Sequence, residues 1–319
     1  MSYMGVQMAR SRGMETPDIG KAVTTRPSST ANFLIDSVDR DQEIYESSGN
    51  FQINKKQSLF NGFFNRMSVQ EVVLDWGIPN ISPVHGNDIL AFTYFDGTTT
   101  TASWVDVPAG FYTVANLLAA LVGQMNVDVG TPGAFKVTSG DTGVYLEVDQ
   151  TVVAGGTFEI NEVFAGPPVK DGTNLAYELF TEDQVNDGQN QSYVILCPRL
   201  LPYRYLDFVS PQLTYNQELK DADTSQKSKD VLYRWYIAWD TETSYDTLGF
   251  PILQGYRPFI ARRLIAYPKQ IRWNNTAPIG SVEFQVYDDN DQIVDPKEFP
   301  ADEGGAEMEF QMTLLLSED

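Results

Sequence analysis

Residues 307–316 read EMEFQMTLLL. Met308, Phe310, Met312, Leu314 and Leu316 share one parity, and Glu307, Glu309, Gln311, Thr313 and Leu315 share the other. Side chains on a strand face opposite sides with a period of two, so the stretch predicts one apolar and one mostly polar face. Burying the apolar set is worth roughly 7–15 kcal/mol as an upper bound, at about 1.5–3 each. The whole net stability of a typical domain is about 5–15 kcal/mol. A strand of that value is expected inside a sheet, paired on both sides by earlier segments. A chain that closes on its own end in this way is expected to be an antiparallel sandwich and not a serial α/β fold.

Seven further β patterns precede it, near 51–54, 67–76, 192–197, 203–209, 231–239, 260–272 and 282–287. Val282, Phe284 and Val286 alternate cleanly, and Asp288-Asp289-Asn290-Asp291 reads as the turn that follows. Val231, Tyr233, Trp235, Ile237 and Trp239 share one face, and Val72-Val73-Leu74 suggests a strand apolar on both faces. Eight antiparallel strands in two packed sheets suit a single jelly roll, although pattern alone fits a Greek-key sandwich of other order nearly as well.

Residues 88–188 differ in character and predict a small α+β insert. Ile89–Phe95 and Thr101–Val107 form a hairpin pattern around Asp96-Gly97. Thr113 is a good N-cap for a helix to about Asn126, with Val114, Leu117, Leu118, Leu121, Val122 and Met125 on one stripe. That stripe is read as the buried face of a structural helix. Short strands are expected at 134–138, 144–148 and 157–160, and a short helix near 175–180. The expected organisation is an extended arm over 1–32, the first part of the jelly roll over 33–87, the insert, and the second part over 189–319.

The chain has 319 residues, 42% of them hydrophobic, which is enough for a sizeable core. No apolar run is long enough to span a bilayer, and the first residues lack a secretory pattern. A formal charge of −21 repels phosphate backbones, so specific nucleic-acid binding by the body of the chain is not expected. The arm is locally basic, with Arg10, Arg12, Lys21 and Arg26 against Glu15 and Asp18. Such segments are ordinarily solvated termini.

Catalytic and metal-binding patterns are sparse, and no catalytic, cofactor-binding or metal residue is assigned. His85 is the sole histidine and Cys197 the sole cysteine, which cannot supply a zinc site between them. Cys197 reads as a small buried hydrophobe. The run Asp288–Asp291 fails the calcium-loop pattern, because Ile293 and Phe299 stand where Gly and Glu are needed. Gly155-Gly156 lies between strands and does not open a helix, so it is no phosphate cradle. Arg262, Arg263, Lys269 and Arg272 form a basic cluster, slightly favouring a contact with another copy of this acidic chain.

Several blocks carry a family resemblance. These are FLIDSVDRD at 33–41, SSGNFQIN at 47–54, FQINKKQSLFNGFFNRMSVQEVVLDWGIPNI at 51–81 and VPAGFYTVANLLAALVGQMN at 107–126. RRLIAYPKQIRWNNTAPIGSVEFQVYDDND at 262–291 and FQMTLLLSED at 310–319 complete the set. Together they resemble the penton (vertex capsid) proteins of virophages and related polinton-like viruses. The resemblance implies a single jelly roll without enzymatic activity or cofactor, forming homopentamers at the vertices of an icosahedral double-stranded DNA virion. A double jelly-roll major capsid protein would surround each pentamer, and a vertex fibre is an optional further partner. The insert is expected to project outward from the shell. The alternatives are a carbohydrate-binding jelly roll using Trp76, Trp104, Trp235, Trp239 or Trp273, and a glycoside hydrolase using two carboxylates.

Overall fold

The computed structural model describes residues 29–54, 64–164, 170–171, 173–196, 198, 200–214, 231–237, 241–272, 280–299 and 307–318. Strands β1 (Thr30–Asp36), β2 (Asn50–Asn54) and β3 (Arg66–Trp76) come first. Then follow β4 (Ile89–Phe95), β5 (Thr100–Asp106), helix α1 (Val114–Asp128), β6 (Phe135–Gly140), β7 (Gly143–Val148) and β8 (Thr157–Asn161). The short β9 (Val163–Phe164) and β10 (Lys170–Asp171) precede helix α2 (Thr173–Leu179) and β11 (Ser192–Ile195). The chain continues through β12 (Tyr205–Val209), the one-turn α3 (Pro211–Thr214), β13 (Val231–Tyr236), β14 (Thr241–Tyr245) and β15 (Pro251–Leu253). It ends with β16 (Phe259–Leu264), β17 (Gln270–Arg272), β18 (Ser281–Tyr287) and β19 (Met308–Ser317).

Two sheets form the sandwich. One has the order β1-β19-β3-β16, with β17 also on β3, and the other has the order β13-β12-β18-β2. Taking β16 and β17 as one interrupted strand leaves eight in chain order. First pairs with eighth (β1·β19), second with seventh (β2·β18), third with sixth (β3·β16) and fourth with fifth (β12·β13), all antiparallel. That nesting is what a folded ribbon gives when it is rolled up, and it makes the fold a jelly roll.

β19 sits where its sequence places it, between β1 and β3, with Thr30 opposite Ser317 and Met308 opposite Trp76. Met308, Phe310, Met312, Leu314 and Leu316 are all buried. Phe310 crosses the core, its ring 4.8 Å from Phe208 and 5.7 Å from Phe51, so the last strand ties both sheets together.

Two expectations about the sandwich strands are corrected. The segment near 192–197 is not in the sandwich: β11 pairs with β7, and Tyr193 packs its ring on Phe158 and Phe180. Its place is taken by β1, whose alternation is blurred because Leu34 points outward. Nor is the outer face of β3 wholly apolar, since Glu71 and Asp75 flank Val73 opposite the buried Val72, Leu74 and Trp76.

Between Trp76 and Tyr205 the chain leaves the sandwich and builds a second hydrophobic cluster; the expected limits 88 and 188 fall inside this excursion. Its sheets are β5-β4-β8 and β11-β7-β6. Thr113 caps α1 by accepting from Asn116 N, and Val114, Leu117, Leu118, Leu121 and Met125 are buried, as their spacing predicts. The cluster is completed from far along the sequence. Leu248, Phe250, Ile252 and Leu253 of the β14–β15 hairpin pack on it, and Tyr256 is buried within it. Asp246 fastens this hairpin: Oδ2 accepts from Ala115 N in the first turn of α1, and Oδ1 accepts from Leu248 N and Phe250 N.

The excursion lies at one end of the sandwich. Trp76 ends β3 beside Met308, which opens β19, and Phe259, which opens β16. Tyr203 meets Trp76 edge-on just before β12 begins. Ser48 Oγ donates to the Met308 carbonyl where β2 starts. Gly49 is needed at that crossing, because a Cβ there would stand 1.7 Å from the Val294 carbonyl oxygen. The first and last described residues meet at the other end, where Glu318 N donates to the Ser29 carbonyl.

Candidate assembly surfaces

The structure places His85 in a structural hub. Its Nε2 donates to the Pro79 carbonyl at 3.1 Å, and its ring lies 5.2 Å from Tyr203 and 5.0 Å from Phe299. Burial pulls its pKa down to about 4, and the bond to Pro79 opposes this only in part. Beside it is a polar cleft of about 370 Å³ lined by Glu178, Asp288 and Asp295 among others. Asp288 Oδ1 accepts from Asn290 N and Gln292 N, and Asp295 Oδ1 accepts from Lys297 N. These two aspartates shape their own turns, which is the ordinary use of Asp at such positions. Among the described residues no group of three or more His, Cys, Asp or Glu side chains is arranged to hold a metal ion. No helix among them is long and apolar enough to cross a membrane. Cys197, Trp239 and Trp273 lie outside the described residues.

Two of the tryptophans nominated for sugar stacking are employed in the core. Trp76 and Trp235 are buried in the sandwich core, and Trp104 is half-buried. The basic cluster is likewise put to internal use. Arg262 pairs with Glu71 on the neighbouring strand. Arg263 lays its guanidinium 4.2 Å from the centre of the Trp235 ring and donates to the Tyr236 carbonyl. Lys269 Nζ donates to the Val231 carbonyl.

Those last contacts define one flank of the molecule. β16 and β13 are the outer strands of their respective sheets, and Arg263 and Lys269 bridge the seam between them. Behind the bridge is a largely apolar cleft of about 430 Å³, lined by Val69, Leu232, Tyr233, Ile265, Tyr267 and Lys269 among others. Tyr267 (96% exposed) stands at its rim, while Ile260 (73%) and Leu264 (71%) lie on the side of β16 that faces away from the seam. Pro268, just after Tyr267, lies in the gap that separates β16 from β17.

The opposite flank is the seam between β1 and β2, the other pair of outer strands. The connection 37–49 crosses it and is held by Arg40, which donates to Glu309 Oε1 at 2.8 Å, and by Tyr45, whose hydroxyl donates to Gln52 Oε1. Asp39, Asp41, Glu43 and Glu46 are exposed here. Leu34 (62% exposed), Val38 (53%) and Ile44 (68%) are interspersed among them. The charged run Asp36 to Glu46 reads from the sequence as an exposed turn, but the exposed apolar residues beside it do not: Leu34 lies on the outward face of β1, and Val38 and Ile44 lie in the connection that follows.

No protein-family model matches the sequence, and no curated protein matches it. Among solved structures, the mavirus penton protein is similar at 13% identity and a TM-score of 0.48, over 92% of this chain and 100% of that one. A chain in the cryo-EM structure of the Sputnik virophage is similar at 12% identity and a TM-score of 0.44, over 91% of this chain and 98% of that one.

Proposed function

We propose that this chain is a structural protein of an icosahedral viral shell, forming the homopentamers that occupy its vertices. The observation that carries the reading is the strand order. A ribbon rolled so that first meets eighth and fourth meets fifth is the fold that the resembling sequence blocks imply, and it was reached independently from pairing alone. The described polar groups support a structural use, because Asp207, Arg234, Glu309, Asp246 and Asp288 are engaged in holding strands and turns together. In the shell, a major capsid protein surrounds the ring, and the polypeptide has no catalytic duty.

The two ends of the sandwich then face different surroundings. The excursion between Trp76 and Tyr205, opposite the end where Ser29 meets Glu318, is the part we assign to the outer surface. Separating purified particles from free protein and labelling them tests both statements. Antibody raised against the Gly140–Gly143 turn should bind intact particles at their vertices, and the isolated assembly should weigh about five times 35.7 kDa. Labelling only after particle disruption would remove the outward assignment. Absence of the chain from particles would remove the vertex role.

A further inference from the structure

The two flanks carry opposite charge and matching apolar groups on one and the same chain. Between residues 259 and 272 the sequence holds Arg262, Arg263, Lys269 and Arg272 and no carboxylate, and of the carboxylates on the adjoining β3, Glu71 offsets Arg262. Between 36 and 46 it holds Asp36, Asp39, Asp41, Glu43 and Glu46 against Arg40, with Arg40 paired to Glu309 and Glu46 paired to Lys297 from outside the segment. Each flank also exposes a trio of large apolar side chains: Ile260, Leu264 and Tyr267 on one, and Leu34, Val38 and Ile44 on the other. Isolated exposed apolar residues are normal, but clusters beside an outer strand mark a contact surface.

We infer that the β16–β13 flank of one copy seats against the β1–β2 flank of a second copy. The occupant is a second copy because the chain supplies both halves. The charges also choose the symmetry. A two-fold contact would lay each flank on itself, basic on basic or acidic on acidic, so the favoured contact is head-to-tail and propagates around a ring. The overall charge of −21 does not prevent this. At physiological salt the screening length is about 8 Å, so the facing flanks dominate over distant surface charge. Tyr267 is the anchor, standing beside the cleft that includes Val69, Leu232 and Ile265. The inference deepens the vertex reading and rests on it for closure at five copies.

The full chain and four variants test it by sedimentation at low and high salt. The native protein should associate at low salt and dissociate as salt rises. Arg262→Glu with Lys269→Glu should weaken association by about tenfold or more, and so should Asp39→Lys with Asp41→Lys and Glu43→Lys. All five substitutions in one chain exchange the signs of the flanks and should restore association. Leu264→Ser with Ile44→Ser weakens the same contact without touching charge, which covers the case of a reversal that fails to fold. A native chain that stays monomeric at low salt overturns the inference. So does association indifferent to either reversal, or a folded five-fold variant that stays monomeric. Flank-dependent association in a chain absent from particles would keep this contact and remove the vertex reading; presence in particles with flank-indifferent association would do the reverse.

Discussion

The sandwich and the excursion at its end are built on opposite plans. In the sandwich, neighbours in space are far apart in sequence: Thr30 lies opposite Ser317, and Ser37 bonds Glu309. In the excursion, β4 pairs with β5 and β6 with β7 across short turns, and α1 packs beside them. Local pairing costs little loop-closure entropy, whereas the sandwich waits for its final strand before its core can close. The excursion is nonetheless incomplete by itself, since Phe250, Ile252 and Tyr256 arrive from beyond β13. The contrast is therefore one of folding order within a single interdependent structure.

The most severe way to break that contrast is to remove residues 307–319. Soluble, cooperatively melting protein should be lost, and any residual amide protection in hydrogen exchange should be confined to the β4–β5 and β6–β7 hairpins. A normal melt in the truncated chain would show that the last strand does not close the sandwich. Next in size, Phe310→Ala should cost about 3–5 kcal/mol in chemical denaturation by opening a cavity between the sheets. Phe135→Ala should cost a similar amount, since that ring meets Phe92, Tyr94 and Phe158 in the other core. The sharper readout is location, because Phe310→Ala should loosen amides of β2, β12 and β19 and spare those of β6 and β7.

His85 joins the two regions, and its titration measures how tightly. Its pKa in the fold is about 4, against 6.5 for a free histidine, so the unfolded chain binds the proton more readily. Stability is unaffected well above pH 6.5, falls as pH drops from 6.5 towards 4, and loses no more from this group below that. The total is about 3 kcal/mol. His85→Gln should flatten this part of the pH profile of the melting temperature; an unchanged profile would assign the slope to other groups. Smaller again, Asp246→Ala should cost about 1–2 kcal/mol and raise exchange at Leu248 and Phe250, loosening the hairpin from α1. Arg262→Ala should change stability by less than about 1 kcal/mol, because its pair with Glu71 is exposed.

The parts of this architecture that were legible in the sequence are those where alternation or a helical stripe is uninterrupted. β18 and β19 declare their inner faces residue by residue, and α1 declares its cap and its buried stripe. Alternation identifies a strand but not the sheet that receives it. β11 alternates, with Tyr193 and Ile195 buried, yet nothing local separates a partner in β7 from one in the sandwich. β1 was obscured by Leu34, whose exposure reflects the outer face of an outer strand. The two flanks were half legible for a related reason. Charge can be counted in a sequence, but that Arg263 is spent on Trp235 while Leu264 stands in solvent depends on which side of β16 faces the seam.

The meeting of Ser29 with Glu318 has a mechanical consequence. β1 and β19 run antiparallel with their outermost residues, Thr30 and Ser317, paired first. A force applied to both ends of the polypeptide would therefore open the sheet like a zipper, one rung after another, and each rung resists only its own share. A compression applied across the flanks is spread over every rung of the paired strands at once. The molecule is built to be squeezed from its sides and is weak when tugged by its ends.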